Sequence, residues 1–119
     1  MLSFRLLNFD MCFVNCHLAS GPTKNGERIQ TALEILRAMK IPNNRLDLPN
    51  QYDYFFWMGD FNWRVSKDFQ NVVECIETND LEEIKKNDQL GFARHQGFFK
   101  QLLEGEINFK PTYRRNRTR

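Results

Sequence analysis

Residues 55–64, which read FFWMGDFNWR, constrain the fold of this chain more than any other segment. An uncharged aromatic run, long enough for one buried strand, ends in Gly59 and is followed by the carboxylate of Asp60 and the amide of Asn62. Because side chains alternate along an extended chain, Asp60 and Asn62 are expected on one face. Gly59 adds little bulk, so a ligand or a second strand is able to come close. The segment predicts a buried strand with a polar end.

The acid and amide pair suits the hydrolysis of a phosphate ester. A carboxylate such as Asp60 orients or deprotonates a water molecule, and a neighbouring amide such as Asn62 donates to a phosphoryl oxygen. The structural alternative is an Asx turn that closes the strand, in which both side chains satisfy local backbone groups. For an isolated G-D-x-N the turn is the better explanation. The pattern of the rest of the chain has to decide between the two.

The N-terminal half of the chain predicts a β-hairpin, a helix and a strand. Apolar-rich runs at 2–7 and 11–18, separated by a turn at 8–10, predict the hairpin. Apolar residues recur at helical spacing from Ile29 to about Lys40 and predict an amphipathic helix packed on the sheet. A loop at 41–52 and a strand at 54–59 follow. This order is typical of a layered α/β architecture.

Short helices are predicted in the C-terminal half. Ser66 is a candidate N-cap for a helix that contains Val72, and Asp80 is a candidate N-cap for a second helix that contains Leu81. Residues 91–103 predict a further helix, weakened by Gly97.

Composition indicates a soluble chain of one domain. The 119 residues are 41% hydrophobic and include eleven phenylalanines, so a disordered chain is excluded. No apolar stretch approaches the roughly 20 residues of a membrane-spanning helix, and no secretory signal begins the chain. Three cysteines, an odd number, favour free thiols in a reducing compartment. We therefore expect a cytoplasmic protein, at the cytosolic face of membranes if it contacts them.

Four stretches, in order, resemble one known family. Residues 57–64 resemble the W-x-G-D-x-N-x-R element of the inositol polyphosphate 5-phosphatases, which belong to the DNase I-like endonuclease/exonuclease/phosphatase superfamily. Residues 13–18 resemble the F-V-N-[SC]-H-L strand of that family, residues 87–90 its D-Q-L element, and residues 104–114 its E-G-x-I-x-F-x-P-T-Y-[KR] element. The resemblance implies part of a two-sheet β-sandwich flanked by helices, with residues 1–119 as the central portion of one catalytic domain, incomplete at both ends.

The resemblance implies catalytic roles for three residues. His17 would contact the phosphate that is removed, Asp60 would position or activate the attacking water, and Asn62 would stabilise the phosphoryl group. An isolated histidine on a strand is more often a packing residue, and only the family context favours the catalytic role. The family often has a second histidine after its H-L-A-A, whereas this chain has Gly21 at that position, and of the R-N element that follows only Arg28 is preserved.

The resemblance implies that three residues near the C-terminus bind the substrate. Tyr113 and Arg114 occupy the positions where a Tyr-Lys pair of the family recognises the phosphate next to the one removed. Arginine offers a planar, multidentate donor where lysine offers a point charge, so recognition is expected to survive with altered geometry. Lys110 adds charge to this group or is simply solvated.

The family requires Mg²⁺, and this chain lacks the residues that bind the ion in the catalytic domain of the family. The main ligands, an asparagine and a glutamate, are expected upstream of the chain, and the P-x-W-C-D-R and S-D-H elements are expected downstream, so no metal ligand is assigned. The implied activity is hydrolysis of the 5-phosphate of phosphoinositides or inositol polyphosphates, with this chain alone inactive. The partner is the inositol substrate, with peripheral membrane contact and no nucleic acid.

Two other functions stay open at this point. A DNase I-like nuclease also uses a histidine at a strand end and G-D-x-N. A non-catalytic phosphoinositide-binding fragment would keep Tyr113 and the basic C-terminus without a metal site. Cleavage of plasmid DNA would identify the first, and lipid binding that persists under chelation would identify the second.

Overall fold

The computed structural model describes residues 1–38 and 48–113, which divide into two units at Trp63 and Arg64. The first unit holds the strands, one helix and a 3-10 turn, and the second unit holds three short helices. In chain order the elements are β1 (Leu2–Leu6), β2 (Phe9–His17), α1 (Asn25–Ala38), the 3-10 helix (Leu48–Gln51), β3 (Tyr54–Asp60), α2 (Phe69–Glu77), α3 (Leu81–Lys86) and α4 (Gln89–His95).

The first unit contains a three-stranded sheet in the order β1-β2-β3. Strands β1 and β2 form the predicted antiparallel hairpin, but Leu7 and Asn8 alone make the turn, and Leu7 adopts a left-handed φ of 55°. The predicted turn at 8–10 is therefore wrong, because Asp10 is already in β2 and accepts two hydrogen bonds from the Arg5 guanidinium across the hairpin, at 2.8 and 2.7 Å. Strand β3 pairs with β2 in parallel, from Met11 opposite Tyr54 onward.

Burial alternates along much of β2 and β3, as expected for side chains on two faces of a sheet, whereas β1 is exposed throughout. Cys12 and Val14 of β2 are fully buried. In β3 one face is half-buried, whereas Tyr54, Phe56 and Met58 on the other face are 43% to 46% exposed. The prediction of a buried strand at 54–59 is thus correct in position and wrong in burial, because the described residues cover only one of its faces.

Helix α1 begins at Asn25, earlier than the predicted start at Ile29. Glu27 lies in its first turn, where a negative charge interacts favourably with the helix dipole. The predicted helix end at Lys40 and most of the predicted loop at 41–52 lie outside the described residues, and the end of that loop forms the 3-10 helix.

The caps of the second unit correct one prediction and confirm another. Helix α2 is capped by Asp68, whose carboxylate accepts a hydrogen bond from the Gln70 amide at 3.0 Å. Ser66 does not cap it, because its hydroxyl accepts a bond from the Gln89 side chain instead. Asp80 caps α3 as predicted, through the Glu83 amide at 3.1 Å.

The predicted helix at 91–103 is wrong at both ends, because α4 spans Gln89–His95. Asp88 caps its start. At its end Gly97 has a left-handed φ of 92°, its amide bonds the Arg94 carbonyl and the Phe98 amide bonds the Ala93 carbonyl. This is a Schellman motif, which ends a helix by satisfying its last carbonyls. No helix among the described residues is both long and apolar enough to cross a bilayer.

Candidate active site

The candidate site lies where β2 and β3 end side by side. The parallel register makes His17 and Asp60 the last pair of the two strands. Their side chains face each other, with 3.5 Å between His17 Nε2 and Asp60 Oδ2. Both side chains are largely open to solvent, at 74% and 67% exposure. An imidazole and a carboxylate are thus presented together at one sheet edge, where a ligand is able to reach both.

Asn62 joins this pair through a turn and not through strand alternation. Strand β3 ends at Asp60, and Asn62 has a left-handed φ of 55°, a conformation that asparagine tolerates better than most residues. Asp60 Oδ1 accepts a hydrogen bond from the Asn62 amide at 3.0 Å, which is an Asx turn. The expectation that Asp60 and Asn62 share one face of an extended strand is therefore wrong. The turn and the site coexist, because the second oxygen of Asp60 remains beside His17.

Gly59 allows the two strand ends to approach closely, as its small size predicts. Its φ is 126°, in the region that favours glycine. A Cβ at this position would lie 1.9 Å from the Cys16 carbonyl oxygen and 2.8 Å from Asn15 Oδ1. A second strand therefore occupies the space that the missing side chain leaves.

Backbone and side-chain bonds fasten the ends of the two strands. The Leu18 amide donates to the Asp60 carbonyl at 2.9 Å, and the Asn62 side-chain nitrogen donates to the Leu18 carbonyl at 3.0 Å. Trp57 Nε1 donates to the Cys16 sulfur at 3.1 Å. Burial raises the pKa of the Cys16 thiol, and the bond from Trp57 acts in the opposite direction. Cys16 is therefore a structural thiol next to the site.

Sequence reasoning missed the contribution of the segment after His17. Leu18 is almost fully buried and takes part in two of these three bonds. Its role depends on backbone groups, so no side-chain pattern could have shown it. Arg28 was noted only as a preserved family residue, yet its side chain is completely buried and bonds the loop between His17 and α1.

The predicted substrate-binding residues belong to the second unit. Lys110 and Tyr113 lie in the segment after α4, which has no regular structure, and Tyr113 is 82% exposed. Tyr113 lines an apolar cavity of about 270 Å³ together with residues of α3 that include Leu81 and Ile84. Arg114 lies outside the described residues. Of the predicted site residues, the structure brings His17, Asp60 and Asn62 together where β2 and β3 end.

The described residues contain no cluster of the side chains that commonly bind metal ions. Within residues 1–38 and 48–113, no group of three or more His, Cys, Asp or Glu side chains is arranged to hold one. The carboxylates of α3 are engaged elsewhere, because Glu82 pairs with Lys85 at 2.8 Å and Glu83 with Lys67 at 2.7 Å.

Comparisons with known proteins identify the family of this chain. The family model described as "Endonuclease/Exonuclease/phosphatase family 2" matches residues 1–119. The chain is 36% identical over 120 residues to human phosphatidylinositol 3,4,5-trisphosphate 5-phosphatase 2, covering 98% of this chain and 10% of that protein. It is 32% identical over 114 residues to rat synaptojanin-2, covering 95% of this chain and 8% of that protein.

A solved structure shows the same fold. The inositol polyphosphate 5-phosphatase domain of SPsynaptojanin, crystallised with inositol (1,4)-bisphosphate and a calcium ion, superposes with a TM-score of 0.84 at 33% identity. The match covers 96% of this chain and 34% of that chain. The chain therefore belongs to endonuclease/exonuclease/phosphatase family 2 and is homologous to the inositol polyphosphate 5-phosphatases. The predicted α/β, DNase I-like fold class is confirmed.

Proposed function

We propose that this chain is part of an enzyme that hydrolyses the 5-phosphate of phosphoinositides or inositol polyphosphates. The observation that carries the proposal is the contact between His17 and Asp60, 3.5 Å apart where two parallel strands end. The names of the homologues support the substrate class, since they include a phosphatidylinositol trisphosphate 5-phosphatase and an inositol polyphosphate 5-phosphatase domain. The chain spans only about a tenth of the relative, so the activity of the whole protein is part of the proposal.

In this proposal each site residue has one role. The Asp60 carboxylate orients the attacking water and accepts its proton, a task for which its side chain is sufficiently open to solvent. His17 donates a hydrogen bond to the phosphate that is removed. Asn62 stabilises the phosphoryl group and holds the turn that aims Asp60. Tyr113, Arg114 and Lys110 recognise the neighbouring ring phosphate.

The proposal includes dependence on Mg²⁺, whose ligands it places outside the described residues. A bound magnesium ion would neutralise charge on the phosphoryl oxygens. The described residues contain no cluster of three or more candidate ligands, and the proposal expects the chain by itself to be inactive. Hydrolysis of phosphate monoesters needs accelerations of up to about 10²¹-fold, which a partial site does not supply. The protein acts in the cytoplasm, at the cytosolic face of membranes when its substrate is a lipid.

A hybrid domain tests the function. The matching 120 residues of human phosphatidylinositol 3,4,5-trisphosphate 5-phosphatase 2 are replaced by this chain, and phosphate release is measured from a soluble inositol trisphosphate and from lipid vesicles. We expect release that depends on Mg²⁺ and that falls by about 10² to 10⁴-fold in Asp60→Asn. This variant keeps an oxygen for the Asx turn, so its fold is preserved. The isolated chain is expected to release no phosphate.

Other outcomes of the same experiment would favour the alternatives. Cleavage of plasmid DNA without release of inositol-bound phosphate would identify a nuclease. Lipid binding by the isolated chain that persists with chelator and in Asp60→Asn, combined with an inactive hybrid that is correctly folded, would identify a non-catalytic binding fragment.

A further inference from the structure

Arg28 is a fully buried charged residue that the proposed mechanism does not use. It lies in the first turns of α1 and its relative exposure is 0%. Removing a guanidinium from water is costly unless hydrogen bonds compensate. Its Nη1 atom donates to the Ala19 carbonyl at 2.9 Å and to the Gly21 carbonyl at 2.7 Å. Both carbonyls belong to the loop that connects His17 to α1, so the buried charge is directed at that loop.

The same loop has a second anchor at its first residue. The Leu18 amide and carbonyl are bonded to Asp60 and Asn62 respectively, and the Leu18 side chain is 3% exposed. The residue directly after His17 is thus tied to the end of β3, and the next residues are tied to α1 through Arg28. One side chain from α1 and one from the turn after β3 hold three carbonyls of one short loop.

Among the described residues, no contact anchors the His17 ring in a comparable way. Its side chain is 74% exposed and its close polar contact is Asp60, itself 67% exposed. Since surrounding side chains cover so little of the ring, its position depends mainly on the backbone that carries it. A displacement of about 1 Å in a catalytic group is enough to lower a rate about 10²-fold. Whatever fixes the backbone after His17 therefore controls the geometry of the pair.

We propose that Arg28 is a positioning residue: by bonding the Ala19 and Gly21 carbonyls it holds His17 against the Asp60 carboxylate. The importance of this role for catalysis rests on the proposed function, whereas the geometric role does not. Methionine removes the desolvated charge and fills much of the space of the arginine stem, while the Ala19 and Gly21 carbonyls lose their donor at a cost to stability. Arg28→Met is therefore expected to keep the fold and to release the loop, because methionine fills the space and donates no hydrogen bond.

The test is NMR spectroscopy of the whole 119-residue chain. The chain has only two histidines, so comparison with a His95→Ala variant assigns the ring signals of His17. The readout is the nuclear Overhauser effect (NOE) between the His17 ring and the Asp60 side chain. We expect Arg28→Met to lose this NOE while NOEs between Phe13 and Phe56 remain. Arg28→Lys, with a shorter side chain that still donates, is expected to show a weakened NOE.

Arg94→Met is the matched control, because Arg94 also donates to a backbone carbonyl, that of Leu102 at 3.0 Å, in the second unit. It should leave the His17 signals unchanged. A folded Arg28→Met with the His17 to Asp60 NOE intact would overturn the proposal, as would an equal effect of Arg94→Met. If Arg28→Met does not fold, Arg28→Lys decides: a weakened NOE supports the proposal and an unchanged one contradicts it.

Failure of both Arg28 variants to fold would also contradict the proposal, because Arg28 would then serve the fold as a whole. The readout is geometric and needs no turnover. An inactive hybrid domain would therefore count against the proposed function while leaving the role of Arg28 to be decided by these spectra.

Discussion

At the residue scale, Asp60 serves the fold and the candidate site with different oxygens. Oδ1 closes the Asx turn with the Asn62 amide, and Oδ2 faces His17. From the sequence, an Asx turn and a catalytic role are alternative explanations of Asp60. The structure shows that its carboxylate has enough hydrogen-bond acceptor positions for both. The segment that carries Asp60 and Asn62 could be found from residue types alone. The bonds of Leu18 could not, because they involve backbone atoms that every residue possesses.

Gly59→Ala should destabilise the chain by more than about 1 kcal/mol, because the added Cβ meets the Cys16 carbonyl and the φ of 126° is strained for alanine. The measurement is the free energy of unfolding in urea. Gly26→Ala is the control: nothing lies within 4 Å of its Cβ and it lies within α1, so a stabilisation of up to about 1 kcal/mol is expected. Equal effects of the two substitutions would contradict this account of Gly59.

At the scale of elements, the sequence located segments better than their boundaries. The helix around Val72 was expected, but its cap is Asp68 and not Ser66, since both residue types favour caps and only the tertiary bonds of Ser66 distinguish them. The sequence pattern predicts a helix that continues through Gly97, whereas α4 ends at His95. The left-handed φ of Gly97 makes it a terminator.

The ion pair between Lys67 and Glu83 predicts that the stability of the fold depends on pH, because the pair joins the segment before α2 to α3. The hydrogen bond from Lys67 lowers the pKa of Glu83 below its ordinary value of 4.5. Because the pKa of Glu83 is lower in the folded state, the ion pair stabilises the fold fully above pH 4.5. This stabilisation is lost as the pH falls through the folded-state pKa of Glu83. Urea midpoints measured from about pH 7 down to about pH 3 should therefore fall less in Glu83→Gln than in the wild type.

Glu77→Gln provides the control for this pH series, since Glu77 is an exposed carboxylate at the end of α2. It should follow the wild-type curve. If Glu83→Gln follows that curve as well, the ion pair contributes nothing measurable to stability.

At the scale of the whole molecule, the described residues leave one face of the sheet uncovered. Phe4, Phe13 and Phe56 stack across the three strands, with ring centroids 5.8 and 4.8 Å apart, and Phe4 and Phe56 are exposed. Exposed apolar faces of this kind favour association. The sequence predicted the order of the N-terminal elements along the chain and the layered class. The aromatic run of β3 predicts a buried strand whether or not anything covers both of its faces.

The isolated chain should therefore associate as its concentration rises, as measured by sedimentation velocity. Phe56→Lys places a charge in the middle of the stacked face and is expected to shift the chain toward monomer. Phe69→Lys, at an exposed phenylalanine in α2, is the matched control and should have less effect. A wild-type chain that stays monomeric at every concentration would show that the exposed face does not drive association.

The central claim is that His17 and Asp60 act as one unit on a phosphate group, and a double-mutant cycle in the hybrid domain tests it most directly. The quantity measured is kcat for a soluble inositol trisphosphate in wild type, His17→Ala, Asp60→Asn and the double variant. Residues that act as a unit are strongly non-additive, so the double variant should be hardly slower than the slower single variant. Losses that simply multiply would show that the two residues work independently and would contradict the account.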